Sequence, residues 1–345
     1  MNRPVRIAVV GLGYWGPNLV RALEEVTNVH VTWLCDVRRE TVDRVGRRYP
    51  SAARTTQVDD VLDDDGLDAV VVATPISTHY PIASAALAAG KHTFVEKPLT
   101  TSSSEAVALA RLAKARGLVL MPGHTFLYSP PVRTVKRLID EGALGDIYFV
   151  STSRVNLGIH QADVSVAWDL GPHDFSILRY WLGENPLWVS ALTRSCVLPD
   201  VPDVAFVNAT FPSHTIAHVE LSWLAPSKLR RTTIVGSRQM VVYDDTSNEP
   251  VRIFDSGVSL PDFGSFGEHR LSYRTGDIIS PRIEHDEPLV VEFADFVAAI
   301  REGRRPISHI DLGIDVIRVI EAVERSLSDF GARTPVDLAV RAEVA

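Results

Sequence analysis

Arg6-Ile-Ala-Val-Val10, followed by Gly11-Leu-Gly13-Tyr-Trp-Gly16 and then by Pro17-Asn-Leu-Val-Arg-Ala-Leu-Glu-Glu-Val26, is the stretch from which the fold is read. The apolar run ends at glycine without alternating, as a strand buried on both faces of a parallel sheet does. Leu19, Val20, Leu23 and Val26 then recur at three- and four-residue spacing, so a helix begins at once. Val29 to Leu34 reads as the next strand, closing a strand-turn-helix-strand unit. In that setting each glycine has its own reason. The first permits a tight turn, the second lets a pyrophosphate approach the backbone, and the third lets helix pack closely on strand. The N–H groups that open the helix are then free to face the phosphates. Asp36 lies 20 residues past Gly16, at the end of the second strand. A carboxylate there accepts from an adenosine ribose 2′-hydroxyl and repels a 2′-phosphate, which favours NAD over NADP. Arg38 and Arg39 complicate that reading, because a guanidinium so placed can pair with the phosphate.

Outward from this unit the alternation continues. Helical spacing covers Thr41 to Arg48, His79 to Ala89 and Ser103 to Arg116, and strands are expected at Ala69 to Ala73, His92 to Val95 and Val119 to Met121. Strands alternating with helices predict an α/β Rossmann domain, a doubly wound parallel sheet, over residues 1–123. Beyond residue 124 the texture changes to alternating runs at Asp146 to Val155, Trp188 to Cys196, Val204 to Phe211, Thr215 to Trp223, Thr232 to Val235 and Met240 to Tyr243. Helical patterns interrupt them at Val132 to Glu141, Pro172 to Leu182, Leu289 to Arg301 and Ile310 to Leu327. Residues 124–345 therefore read as an α+β domain with a mostly antiparallel sheet. Pro250 to Pro288, rich in Gly, Ser, Asp and Pro, reads as an extended loop region. The acidic residues Asp59, Asp60, Asp63, Asp64, Asp65 and Asp68 read as a solvated face, not a metal site.

The 345 residues fit two domains. A formal charge of −8 argues against a nucleic-acid partner, and no apolar run approaches the ~18 residues of a membrane helix. Two cysteines, Cys35 and Cys196, and an N-terminus without a long apolar segment suggest a cytoplasmic protein with free thiols. The alternating strands need cover on their second face, so a homodimer or homotetramer is expected.

Thr74-Pro75 and Glu96-Lys97-Pro98 fall at the C-terminal ends of two strands, where an open parallel sheet lines its ligand crevice. A lysine is ordinarily a solvated surface residue, but Lys97 at such a crevice can bring its charge to a reacting oxygen, and Pro98 restricts its backbone to an extended form. Asp169 and His173 are four apart at the start of a helical run and would share a face if one helix held both. Pro172 places His173 near a helix N-terminus, where the dipole favours a neutral ring able to act as a base. The ordinary alternative is that Asp169 caps the helix and His173 packs in the core.

These motifs together resemble the Gfo/Idh/MocA oxidoreductase family: Gly11-Leu-Gly-Tyr-Trp-Gly16, Ala73-Thr-Pro75 with His79, Ala89-Gly-Lys-His-Thr-Phe-Val-Glu-Lys-Pro98, and Asp169-Leu-Gly-Pro-His173. The resemblance implies an NAD(P)-dependent oxidoreductase acting on CH–OH groups of sugars or cyclitols, with a large open sheet in residues 124–345 that serves substrate binding and oligomerisation. It places the cofactor against Gly11, Leu12, Gly13, Tyr14, Trp15, Gly16, Asp36, Arg38, Thr74, Pro75, His79, Glu96 and Lys97. Lys97 falls on the family's catalytic lysine, and Asp169 and His173 fall on its paired acid and histidine. Arg154, Asn156 and Trp168 join Lys97, Asp169 and His173 as residues expected against the substrate. The segment departs from the commoner form, lacking a preceding glycine pair and carrying Asp174 directly after the histidine. Gly123-His-Thr-Phe-Leu-Tyr128 and Val155-Asn-Leu-Gly158 look like the branch of UDP-N-acetylglucosamine-type 3-dehydrogenases. A nucleotide-linked sugar is thus the expected substrate, with a cyclitol, free sugar or aminoglycoside as the alternative. A non-catalytic NAD(H)-binding sensor would need only the Gly11 to Asp36 apparatus, and Lys97, Asp169 and His173 argue against it. No metal is implied, because no Cys/His cluster has ligand spacing.

Overall fold

The structure of the protein, a computed structural model, describes residues 3–158, 160, 164–259 and 271–337. They form two compact units, the first built from residues 3–129 and 286–318 and the second from 130–285 and 319–337.

In the first unit, strands and helices alternate through β1 (Val5–Val10), α1 (Gly16–Glu25), β2 (Val29–Cys35), α2 (Arg39–Gly46), β3 (Ala53–Thr55) and α3 (Val58–Leu62). They continue through β4 (Ala69–Val72), α4 (His79–Ala88), β5 (His92–Glu96), α5 (Ser103–Arg116) and β6 (Leu120–Gly123). The sheet order is β3-β2-β1-β4-β5-β6, with every neighbouring pair parallel. Ile7, Ala8 and Val9 of β1 and all four residues of β4 are 0% exposed, which explains why these strands read as unbroken apolar runs. Strand order reverses between β1 and β4, so the loops after those two strands, at Gly11 and Thr74, border the crevice of a doubly wound sheet.

The second unit opens with α6 (Pro130–Asp140), β7 (Ile147–Val155), α7 (Val166–Asp169) and α8 (Gly171–Leu182). The strands β8 (Trp188–Arg194), β9 (Val204–Thr210), β10 (Ile216–Ser222), β11 (Leu229–Gly236), β12 (Met240–Asp244), β13 (Val251–Ser259) and β14 (Ser272–Ile279) follow. The chain then passes through α9 (Pro288–Glu302) and α10 (Ile310–Ser328) and ends its described part at β15 (Thr334–Pro335). The sheet order is β14-β13-β12-β11-β7-β10-β9-β8-β15, antiparallel except for the β7–β10 pair. Alternation is clean along β9: Ala205, Val207 and Ala209 are buried, while Phe206 and Asn208 face outward. On its buried side Trp181 of α8 donates its indole N–H to Val132 O of α6 at 2.9 Å. The outward face carries Phe149, Leu192, Phe206 and Ile216, all exposed.

Three expectations change. The segment 250–288 is not one loop, because β13 and β14 pair there; residues 260–270 lie outside the described set. Strand β14 is an edge with almost every residue exposed, so it has no apolar alternation to betray it. Asp169 and His173 do not share one helix, since Asp169 closes α7 and His173 lies in the first turn of α8. Residues 286–318, which follow the long sheet in sequence, pack with the first unit: the rings of Phe293 and Phe296 sit 5.0 and 5.8 Å from that of Phe94 on β5. Within the acidic cluster, Asp64 accepts from the Trp33 indole and Asp68 pairs with Arg3. Among the described residues no group of three or more His, Cys, Asp or Glu side chains is arranged to hold a metal, and no helix is long and apolar enough to cross a membrane. Both cysteines are free thiols, Cys35 buried and Cys196 exposed.

Candidate functional site

The cofactor half of the site is in the first unit. Gly11 has φ +97°, and a Cβ there would lie 2.4 Å from Ala73 O. A Cβ on Gly16 would meet Gly11 O at 2.2 Å. Gly13 differs: its Cβ direction is open except for the Arg38 guanidinium at 3.7 Å. Two glycines are thus demanded by protein packing and the middle one keeps a space clear, as a backbone that must admit a pyrophosphate requires. No side chain caps the N-terminus of α1 and no acidic residue stands in its first turn; Pro17 has no N–H and Asn18 N donates to Trp15 O at 2.9 Å, so Gly16 N is the first-turn donor left to an anion. The residues present fit a dinucleotide.

Asp36 is buried and held by its own chain. Oδ2 accepts from Leu12 N at 2.8 Å, and Oδ1 accepts from Arg38 N at 2.9 Å and Arg38 Nε at 3.2 Å. Burial works against the charge, but the two backbone donors and the guanidinium outweigh it and hold the carboxyl below the usual carboxylate range. Arg38 is therefore engaged with Asp36, and three of the carboxylate's four acceptor positions are filled. Beside them opens a cavity of about 600 Å³ lined by Gly13, Tyr14, Pro17, Arg38, Arg44 and Tyr49, among others. Tyr14, at 91% exposure, has its ring free to cover a ligand in that cavity. Arg39 pairs instead with Asp43 on the α2 surface.

At the end of β5, Glu96 accepts from the Trp15 indole at 3.0 Å and from Lys97 N at 3.2 Å, tying the glycine loop to the strand end that carries Lys97. Burial pushes the Glu96 carboxyl up to about 7. The Lys97–Pro98 peptide is cis. His79 makes both its ring contacts with backbone, at Pro98 O and Thr74 O, so its nitrogens are spent on the loops and not offered to a dinucleotide. Thr74 Oγ1 accepts from Thr78 Oγ1 at 2.7 Å. Two residues the sequence reading did not single out lie close by. His124, directly after β6, is 2% exposed with neither ring nitrogen hydrogen-bonded; burial, then the charges of Lys97 and His309, push it down to about 3, so it is a neutral imidazole. Glu292 on α9, fully buried, accepts from Thr125 Oγ1 at 2.6 Å, and burial with the Glu96 charge raises its carboxyl well above the normal range. The rule that found Thr74 and Lys97, a position at the C-terminal end of a parallel strand, would also have found His124. No local signal marks Glu292.

The second unit holds the remaining candidates. Trp223 donates to Asp169 Oδ2 at 3.1 Å, its backbone carbonyl accepts from Gly158 N, and a Cβ on Gly158 would meet its ring at 3.0 Å. Asp169 and the Asn156–Gly158 loop are thereby brought together. Asn156 O accepts from Ala225 N, and among the described residues its side-chain amide makes no hydrogen bond, leaving it available to a ligand. The indole of Trp168 donates to Glu324 on α10, and Arg154 is buried with its Nε on Asp174 Oδ2, so both side chains have partners within the unit. That pair explains Asp174 after the histidine: it anchors α8 onto β7 through Arg154 and Thr152.

Residues 5–124 match the Gfo/Idh/MocA oxidoreductase family, NAD-binding Rossmann fold, and residues 132–242 match the Gfo/Idh/MocA C-terminal domain. The chain is 28% identical to scyllo-inositol 2-dehydrogenase (NAD(+)) of Bacillus subtilis over 99% of its own length and 98% of that protein. It is 26% identical to UDP-N-acetylglucosamine 3-dehydrogenase of Acidithiobacillus ferrooxidans over 86% of its length and 90% of that protein. A solved structure of GenD2 from gentamicin A biosynthesis, in complex with NAD, superposes with a TM-score of 0.82 at 28% identity, covering 98% of this chain and 97% of the other.

Proposed function

Because the chain belongs to the Gfo/Idh/MocA oxidoreductases, NAD-dependent enzymes of CH–OH groups, we propose that it interconverts a secondary ring hydroxyl and the ketone of a nucleotide-linked sugar, at C3. The observation that carries the reading is Lys97 at the end of β5, joined through Glu96 and Trp15 to the glycine loop. When bound, NAD accepts the carbinol hydride at nicotinamide C4. Gly11 to Gly16 and the N-terminus of α1 hold the pyrophosphate, and Asp36 meets the adenosine ribose at its remaining acceptor position. Lys97 brings positive charge to the oxygen as its proton departs, and His173 takes that proton; in the reductive direction it returns it. Asp169, oriented by the Trp223 indole, in turn orients the histidine. Residues 1–123 thus serve the cofactor, with the sheet of 124–345 serving substrate and assembly. The test is cofactor reduction with UDP-sugars, inositols and free or aminoglycoside sugars. Turnover confined to the inositols would replace this reading with the cyclitol one, which the similarity to the inositol dehydrogenase favours.

Asp36 sets the cofactor preference by its charge. Asp36→Ser removes a carboxylate worth several kcal/mol to a phosphate about 4 Å away at intermediate dielectric, and leaves Arg38, Arg44 and Arg48 beside the cavity. The NADP-to-NAD ratio of kcat/KM should rise at least about tenfold. An unchanged ratio would show that Asp36 does not face the 2′ position.

The outward face of the nine-stranded sheet packs against a second copy of the chain. Leu192 and Phe206 are directly paired across β8 and β9, and Thr210, Ile216 and Phe149 form a row across β9, β10 and β7. A face this apolar on an open sheet is suited to a self-complementary interface. Light scattering should return two or four times the 37.9 kDa chain, and Phe206→Asp should lower that mass. A wild-type mass near 38 kDa would end the proposal.

A further inference from the structure

A chain of contacts runs through the first unit from the glycine loop to Lys97. Gly11 packs its backbone on Ala73 and Thr74 so closely that no Cβ fits. Thr74 O lies 2.8 Å from Nε2 of His79, and Nδ1 of the same ring lies 2.8 Å from O of Pro98, the residue after Lys97. The imidazole thus bridges the loops that follow β4 and β5, the first of which borders the crevice. It is 2% exposed and is the first residue of α4; burial opposes a charge on it, while the backbone groups of Pro98, Thr74 and Leu99 favour one.

This placement is ill suited to binding a ligand and well suited to fixing a loop. Both partners are carbonyls, which only accept, so a neutral ring donates its single N–H to one of them with its other nitrogen packed against the second, and only a charged ring donates to both; neither form leaves a nitrogen for a third partner. A backbone carbonyl buried beside the loop would otherwise lack a donor, and such groups in native structures are paired. The residue lengths also fit: a rigid five-membered ring with nitrogens on opposite sides, each 2.8 Å from a carbonyl oxygen, sets a fixed spacing between the two loops, which a flexible side chain would not. Burial and the N-terminal end of α4 disfavour a charged ring, holding it below the usual histidine range, while the two carbonyls favour charge.

We infer that His79 is a positioning residue for Lys97: it ties the Pro98 carbonyl to the Thr74 loop and so fixes where the lysine side chain starts. The inference rests on the proposed role of Lys97 and adds a residue that acts only through it.

A double-mutant cycle reads this directly. In His79→Ala, kcat falls by about tenfold or more while the NAD dissociation constant, followed by quenching of tryptophan fluorescence, changes by less than about threefold. In the Lys97→Ala background, the same His79→Ala change leaves kcat within about twofold, because the group being positioned is gone. His79→Gln, which restores one amide donor, recovers part of the lost kcat. An equal loss of kcat in both backgrounds, or a loss confined to NAD affinity, would overturn the inference. If Lys97→Ala alone is fully active, the role of Lys97 fails instead, and the two failures are distinct. Should His79→Ala not fold, the wild-type holoenzyme decides: its ¹⁵N-resolved spectrum must show a His79 ring N–H protected from solvent exchange, and a fast-exchanging ring refutes the bridge.

Discussion

Lys97→Ala should lower kcat by a factor of order 10² to 10³ while leaving NAD affinity largely intact, the loss seen when a donor to a developing oxyanion is removed. Lys97 lies at the β5 end and not in the pyrophosphate cradle, which is why binding and turnover should separate. His173→Ala should cost a comparable factor of order 10² to 10⁴ if the imidazole moves the hydroxyl proton. The pH profile of kcat/KM for oxidation then assigns the base. An acidic limb that vanishes in His173→Ala and persists in Lys97→Ala makes His173 the base; the reverse pattern transfers that role to Lys97. Near wild-type activity in both variants would remove the catalytic assignment and leave only the cofactor cradle.

Asp174→Ala should destabilise the chain by about 3 to 5 kcal/mol, the range for deleting one partner of a buried ion pair. Asp174 and Arg154 are 3% and 4% exposed, and Thr152 Oγ1 completes the set with a 2.8 Å bond to Asp174 Oδ1. Removing the carboxylate leaves a guanidinium in the interior without its counter-charge, at the point where α8 sits on β7. Thermal unfolding should show Tm lowered by roughly 10 °C. A shift of under about 2 °C would show that water or backbone replaces the carboxylate. Replacing both residues, as Asp174→Leu with Arg154→Met, should recover much of the loss, since an apolar pair of similar volume carries no desolvation penalty. Because His173 precedes Asp174 on the same turn, the single variant should also lose activity at temperatures where it remains folded.

Local pattern alone determined the parallel sheet, its glycine loop and the strand ends that bear Thr74 and Lys97. Buried parallel strands leave unbroken apolar runs, and a phosphate cradle needs glycine at fixed spacing, so both are written within a few residues of each other. The antiparallel half was legible along strands such as β9, where one face is buried, but missed at β13, whose Val251 and Ile253 are buried, and lost at β14, where an exposed edge imposes no pattern. Tertiary structure alone decided what the polar side chains do. Arg154, Trp168 and His79 have residue types suited to a ligand, and each meets a partner from another element that local pattern does not name: Asp174, Glu324, and the carbonyls of Thr74 and Pro98. Glu292 reaches the neighbourhood of Glu96 only because α9 folds back onto the first unit. A hydrogen bond or charge acts over a few ångströms whatever the separation along the chain, and periodicity records only which face of an element is buried, not which side chain waits on the other side.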